Sequence, residues 1–187
     1  MRLLIMGPPG VGKGTQAKIL KEKLGIAHIS TGELLRAEID NDTKIGKIAK
    51  RYIDQGNLVS DNLILEIVKD RLSMTDCKIG YILDGFPRTL NQAIGLEIIM
   101  KNINQNLDIA LSLSANENEL VERLIKRGLK SGRSDDNSDI IRERQKIYWK
   151  LTAPLLEFYE DRNILKSIDG LGKIEEITSR IISIIKL

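Results

Sequence analysis

Gly7, Gly12 and Lys13 stand in a G-x-x-x-x-G-K pattern within the stretch "MGPPGVGKGTQ" at residues 6–16. Glycines at such spacing let successive backbone N–H groups turn to one side and form a nest for negative charge. A helix that begins at the lysine adds the positive end of its dipole. The ammonium then meets charge that the backbone does not reach. Phosphate is the ligand this arrangement suits. A plain Gly-Pro turn ahead of an ordinary helix is the alternative, and it is outweighed because motif and context agree. One irregularity stands out. Ser or Thr usually follows the lysine, and here Gly14 does.

Two more groups carry chemistry of the same kind. In "GYILDGFPR" an apolar run ends on Asp84, which suits an acid that organises Mg²⁺ through water beside phosphates. Taken alone, Asp84 would more simply cap a turn. The glycine loop tips the balance. Arg36, Arg88, Arg123, Arg127, Arg133 and Arg144 fall near element ends or in a polar stretch at 128–138. A lone surface arginine is usually only solvated. Moving a phosphoryl group between two nucleotides, however, needs several permanently charged forks at once. It also needs water excluded, and a mobile arginine-bearing lid would do both.

The elements that must position these residues are readable. "RLLIM" at 2–6 is a short apolar run stopped by Gly and Pro, hence a buried strand. Ala17, Leu20 and Leu24 recur at helical spacing after Lys13. "IAHIS" reads as a second strand, 30–55 as two helices meeting near 41–43, and "SDNLILEIVKDRL" as a helix capped by Ser60 or Asp61. The strand "GYILD" precedes a helix from Thr89 to about Asn104, and the strand "LDIALSL" precedes a helix from Asn116 to Arg127. Residues 128–138 read as an exposed loop or lid, and Ser138–Lys150 as a charged helix carrying Trp149, there for packing. Pro154 suits the first turn of another helix. "NILKSID" is the last strand, and Ile174, Ile177, Ile181 and Ile184 give the final helix an apolar face. Strands without polar alternation, each followed by a helix, predict a parallel α/β sheet covered on both faces.

The bulk numbers are compatible with this. A chain of 187 residues, 42% of them hydrophobic, is long and apolar enough for one packed core. A net charge of +3 is too mild to argue for nucleic acid. The single Cys77 excludes a disulfide or zinc framework within one chain and fits a reducing compartment. No apolar run approaches the roughly 18 residues of a membrane helix. A soluble, cytoplasmic protein is expected, with no membrane or nucleic-acid partner. His28, the one histidine, lies in a predicted strand and reads as structural.

Taken together, "GPPGVGKGTQ" at 7–16, "STGELLR" at 30–36, "GNLVSD" at 56–61, "DGFPRTLNQA" at 84–93 and "RLIKRG…SGRSDDN" at 123–137 followed by Arg144 resemble the adenylate kinase family over the whole chain. The resemblance implies a P-loop NTPase-type three-layer sandwich with a central parallel five-stranded sheet. It implies an NMP-binding subdomain at 30–59 and a short lid at 127–138, on a core of 1–29, 60–126 and 139–187. It implies transfer from ATP to AMP giving two ADP, with Mg²⁺ at Asp84, no structural zinc, and a monomer. Gly10, Val11, Gly12, Lys13, Gly14 and Thr15 would wrap the ATP phosphates. Lys-Gly-Thr is the family's own form here, so Thr15 would supply the hydroxyl. Arg123 and Gly172 would lie at the ATP base. Thr31, Arg36, Asn57, Leu58, Val59, Gly85, Phe86, Pro87, Arg88 and Gln92 would hold AMP, with Gln92 at the adenine edge. Lys13, Arg88, Arg127, Arg133 and Arg144 would serve the transferring phosphates, Arg133 and Arg144 also on the AMP side. Asp135 and Asp136 would orient the lid arginines or cap the next helix. Glu33 departs from the family, which usually has Asp there.

Two rivals stay open at this stage. A UMP/CMP kinase of the same architecture would tend to carry Ala at Thr31 and Asn-rich sequence near Gln92. A nucleotide-binding switch that reads guanine would want an Asn-Lys-x-Asp motif, and no Asn-Lys pair occurs in the chain.

Overall fold

The computed structural model describes residues 1–185; Lys186 and Leu187, the end of the expected core range, lie outside the described residues. Five strands form one sheet: β1 (Arg2–Met6), β2 (Ala27–Ser30), β3 (Tyr81–Asp84), β4 (Ile109–Ser114) and β5 (Leu165–Asp169). Their order is β2-β3-β1-β4-β5, and every pairing is parallel. The expected parallel α/β architecture is the one observed.

Alternation along each strand feeds two cores. Leu4 and Met6 of β1 join Ile29 and Leu83 on one face; Leu3 and Ile5 join Ile82 and Leu111 on the other. The first face is covered by α4 (Asp61–Leu72), α5 (Leu90–Asn102) and α8 (Leu155–Glu160), through Ile64, Val68, Leu96 and Tyr159. The second is covered by α1 (Lys13–Leu24), α6 (Glu117–Ser131) and α9 (Ile174–Ile185), through Leu20, Leu120, Ile177 and Ile181. Burial on both faces explains why the central strands β3, β1 and β4 are nearly continuous apolar runs, whereas the edge strands β2 and β5 are only partly buried and carry the polar His28, Ser30, Lys166, Ser167 and Asp169. Helices α2 (Thr31–Asp40) and α3 (Lys44–Ile53) follow β2 as a pair, and α7 (Ser138–Ile147) follows the polar stretch. Among the described residues no helix is long and apolar enough to cross a membrane.

Side-chain caps fix most helix starts. Ser30, Thr43, Thr89, Asn116 and Asn137 each accept a hydrogen bond from a backbone N–H three residues on. Helix α1 differs, because its cap is Gly12, which has no side chain to offer its N-terminal amides.

The structure revises several local expectations. Helix α6 continues to Ser131, so 128–131 are helical and not loop. Asp135 and Asp136 form a short 3₁₀ turn, and the cap of α7 is Asn137. The charged helix ends at Ile147 and passes into a π-turn over Tyr148–Thr152. Trp149 sits on that turn at 58% exposure, edge-to-face with Tyr148, and is not a core residue. Ile174 opens α9 exposed, and its buried face is Ile177, Ile181 and Ile185.

Candidate active site

The carboxyl ends of all five strands point to one side, where ligands gather in open α/β sheets. Each end delivers site residues: the glycine loop after β1, Thr31 after β2, Asp84 and Gly85 at β3, α6 after β4, and Gly172 after β5. A cleft of about 920 Å³ opens there. It is lined by every residue named above for the two nucleotides, from Gly10 to Gly172, and by Asp135. Asp136 lies behind the wall, its side chain fully buried.

The glycine loop is clamped by its surroundings. Gly10 takes φ 89°, and a Cβ there would come within 2.6 Å of the Leu120 carbonyl oxygen of α6. No L side chain fits that backbone or that gap. Gln145 of α7 donates from Nε2 to the Pro9 carbonyl at 3.1 Å, tying the loop to the helix that carries Arg144. Lys13 folds over the loop and donates to the carbonyls of Gly7 and Pro8 at 2.6 and 2.9 Å. A Cβ at Gly14 would lie 3.4 Å from Asp84 Oδ2. The missing side chain thus leaves the Asp84 carboxylate facing the N-terminus of α1.

Asp84 is buried, and its Oδ2 lies 3.3 Å from His28 Nε2. Burial alone would raise its pKa, but the His28 hydrogen bond and the Lys13 charge hold it below the ordinary carboxylate value. His28 therefore touches a site acid, a role the sequence reading missed. The signal was parity: β2 and β3 pair in parallel with Ser30 opposite Asp84, which sets His28 one repeat behind on the same face.

The acceptor side is built on β3's turn. Gly85 takes φ 77°, and a Cβ would crowd the Arg88 guanidinium at 3.0 Å and the Thr31 hydroxyl at 3.3 Å. Its carbonyl accepts from Thr31 Oγ1 at 2.9 Å and from Arg88 Nε at 2.7 Å. Thr152 Oγ1 donates to the Arg88 carbonyl at 2.9 Å, a second anchor that sequence did not suggest. Leu35, Val59, Ile64 and Phe86 form the apolar end of the cleft beside the buried Gln92. Glu33 reaches away from the backbone to Lys18 Nζ at 3.0 Å, an exposed pair of little energetic weight.

The other arginines are held by acids and carbonyls. Arg127 forms a two-pronged pair with Asp136 at 2.6 and 2.7 Å. Arg144 Nη1 reaches Asp136 Oδ1 at 2.9 Å and Asp135 Oδ2 at 2.8 Å. Arg123 donates to the Gly170 carbonyl at 3.2 Å and pairs with Glu119 at 2.9 Å.

Positive charge is in excess here, and the ionisations record it. Burial, opposed by Asp84 and helped by Arg88, Arg144 and Arg127, lowers Lys13 from 10.5 to about 7. Burial and then Arg144 lower Arg88, burial and Arg133 lower Arg36, and burial and Arg127 lower Arg133. Burial also works against Arg127, but its pairing with Asp136 raises it above the ordinary value. Cations crowded this way are matched by a polyanion.

Among the described residues no group of three or more His, Cys, Asp or Glu could hold a metal. A magnesium ion that keeps several waters and takes other ligands from phosphate needs only one or two carboxylates. Asp84 with the Thr15 hydroxyl across the loop fits that donor set.

The adenylate kinase family model matches residues 5–164 of the chain. A protein of Leptospira biflexa named adenylate kinase is 50% identical over 181 residues, covering 97% of each chain. One of Kocuria rhizophila with the same name is 48% identical over 182 residues, again 97% of each. One of Stenotrophomonas maltophilia is 47% identical over 186 residues, spanning both chains in full.

Proposed function

The chain belongs to the adenylate kinase family, and from that premise we propose that it transfers the terminal phosphoryl of Mg-ATP to AMP, giving two ADP. It is a nucleoside monophosphate kinase; the acceptor, the metal and the site roles are the proposal. The observation that carries it is geometric: the glycine loop, Lys13, Arg36, Arg88, Arg127, Arg133 and Arg144 line one cleft, and burial there lowers the pKa of Lys13, Arg36, Arg88 and Arg133.

The reaction needs no nucleophilic side chain. An oxygen of the AMP phosphate attacks the γ-phosphorus of ATP in line, and the bond to the β-bridging oxygen breaks, leaving ADP on both sides. The protein's part is positioning and charge stabilisation. The loop from Gly10 to Thr15 and the free amides of α1 hold the ATP phosphates. Arg123 and Gly172 flank its base. Arg36 and Arg88 hold the AMP phosphate, Asn57, Leu58 and Val59 line its base, and Gln92 reads the adenine edge. Arg127, Arg133 and Arg144, together with Arg88, converge on the group in transit. Asp84 and Thr15 would hold Mg²⁺, which when bound would supply Lewis-acid neutralisation of the phosphate charge. Residues 30–59 act as the AMP-binding subdomain and 127–138 as the lid that excludes water. The reading extends to a cytoplasmic monomer working in purine nucleotide interconversion and energy homeostasis.

The test is ADP formation with ATP in excess and AMP, CMP, UMP or GMP as acceptor, with and without Mg²⁺. AMP should exceed each of the others by at least about a hundredfold in kcat/KM, and activity should require the metal. Preference for CMP or UMP would overturn the acceptor assignment.

Lys13 gives a second test. Its pKa is lowered, so the side chain loses its proton as pH rises through about 7. Bound phosphates favour the ammonium and raise that pKa, so ATP binding takes up a proton between those two values. Calorimetry in buffers of different ionisation enthalpy should give close to one proton taken up per ATP at about pH 8.5. ATP affinity should fall by up to about tenfold per pH unit above 7. Lys13→Met should abolish the uptake; equal uptake in both proteins would refute the assignment.

A further inference from the structure

We propose that Asp61 sets the base specificity of the acceptor site, by locking the Gln92 amide in the orientation that pairs with adenine and not with hypoxanthine or guanine. The inference rests on the reading above that Gln92 faces the acceptor base.

Gln92 is buried, and both ends of its amide are engaged. Nε2 donates to Asp61 Oδ1 at 2.8 Å, and Oε1 accepts from the Arg88 backbone N–H at 2.7 Å. These partners tell the two ends apart. A carboxylate can only accept and a peptide N–H can only donate. Turning the amide over would set its NH₂ against the Arg88 N–H and its carbonyl against the Asp61 carboxylate. Both contacts would be repulsive inside a buried site.

The remaining capacity of the amide is one N–H and one oxygen lone pair, side by side. Adenine offers a matching pair, an amino group next to a ring-nitrogen acceptor. Hypoxanthine and guanine offer the reverse, a carbonyl next to a ring N–H. A glutamine free to turn over would pair with either kind. A locked one pairs with adenine alone and leaves the others with two donors and two acceptors misaligned. Half of the lock is main chain, at Arg88. Asp61 is the half that a side chain provides.

Asp61 is itself well fixed. Its Oδ1 also accepts from Thr89 Oγ1 at 3.0 Å, and that hydroxyl accepts from the Gln92 N–H at 3.2 Å as the cap of α5. As the first residue of α4, Asp61 carries its negative charge where the helix dipole favours it. One carboxylate thus joins the starts of α4 and α5 around the base reader. Asp61 is a positioning residue, since it acts through Gln92.

The test is steady-state ADP formation by Asp61→Ala, Asp61→Asn and Gln92→Leu, with saturating ATP and with AMP or its hypoxanthine counterpart as acceptor. Asp61→Ala should raise KM for AMP about tenfold and raise the hypoxanthine-to-adenine ratio of kcat/KM about tenfold. KM for ATP should not move, and kcat at saturating AMP should fall less than about threefold. Asp61→Asn keeps an acceptor oxygen at the same reach and should return KM for AMP to within about threefold of the parent. Equal damage by both variants, or an unchanged acceptor ratio in Asp61→Ala, would overturn the proposal. Gln92→Leu separates the two levels. If it leaves KM for AMP unchanged, Gln92 does not face the base and both readings fall. If it raises KM for AMP while Asp61→Ala does not, only the role of Asp61 falls.

Discussion

Arg88→Met should lower kcat by about a thousandfold or more while leaving the thermal midpoint unchanged or raised. The loss follows from chemistry: an arginine fork on a transferring phosphoryl group is worth about 10³–10⁵ in rate. The stability half follows from the surroundings. Among the described residues no carboxylate pairs directly with the Arg88 guanidinium, whose Nε contact is the Gly85 carbonyl. Burial and the neighbouring Arg144 and Arg36 all disfavour its charge, with Asp84 and Asp135 only partly offsetting them. Methionine keeps most of the stem's packing and removes the misplaced charge. A residue whose charge the fold disfavours and the reaction requires is a functional one. Turnover assays and thermal unfolding on the same preparation check both halves. A stable variant with near-parental turnover would remove Arg88 from the transfer step, and a large drop in midpoint would make it structural.

Asp136→Ala should behave in the opposite way, losing stability and activity together. Its side chain is fully buried between Arg127 and Arg144. Removing one partner of a buried pair costs about 3–5 kcal/mol. Arg127 is about a third exposed and Arg144 keeps Asp135, so the low end, about 3 kcal/mol, applies here. For a chain of this size that is a fall of about 6–12 °C in Tm. Asp136→Asn, which keeps an acceptor for the guanidinium N–H groups, should lose less. The pH dependence has a definite sign. Burial raises the Asp136 pKa, but pairing with Arg127 and Arg144 outweighs it and leaves the value below 3.8. The parent should therefore hold this contribution above about pH 4 and lose it as pH falls further, whereas Asp136→Ala shows no such step. An unchanged Tm would contradict the geometry described for 127–144.

The two variants separate what sequence could and could not reveal. The sheet was legible because strands buried on both faces must be short apolar runs, as "RLLIM" and "YILD" are. The glycine loop was legible because a strand, the glycines and the lysine must be consecutive to cradle phosphate. Arginines near element ends were visible as a set. Several other contacts of the site were not, because each joins partners far apart along the chain. His28 meets Asp84 across 56 positions, Gln92 meets Asp61 across 31, and Gln145 meets the loop across 136. Asp61 looked like nothing more than a helix start, since local spacing cannot show that α5 begins beside α4. The end of α6 was misjudged for a related reason. Gly128 reads as a breaker, yet a Cβ there would come within 2.8 Å of the Asp136 carbonyl oxygen, so the helix uses glycine to pack against the turn that follows it.

The most direct measurement is the product count by phosphorus NMR when the enzyme, Mg²⁺, ATP and AMP are mixed. The account predicts that each AMP consumed yields two ADP, that no inorganic phosphate accumulates, and that the reaction runs back from ADP alone. ATP turning into ADP and phosphate while AMP stays intact would contradict it.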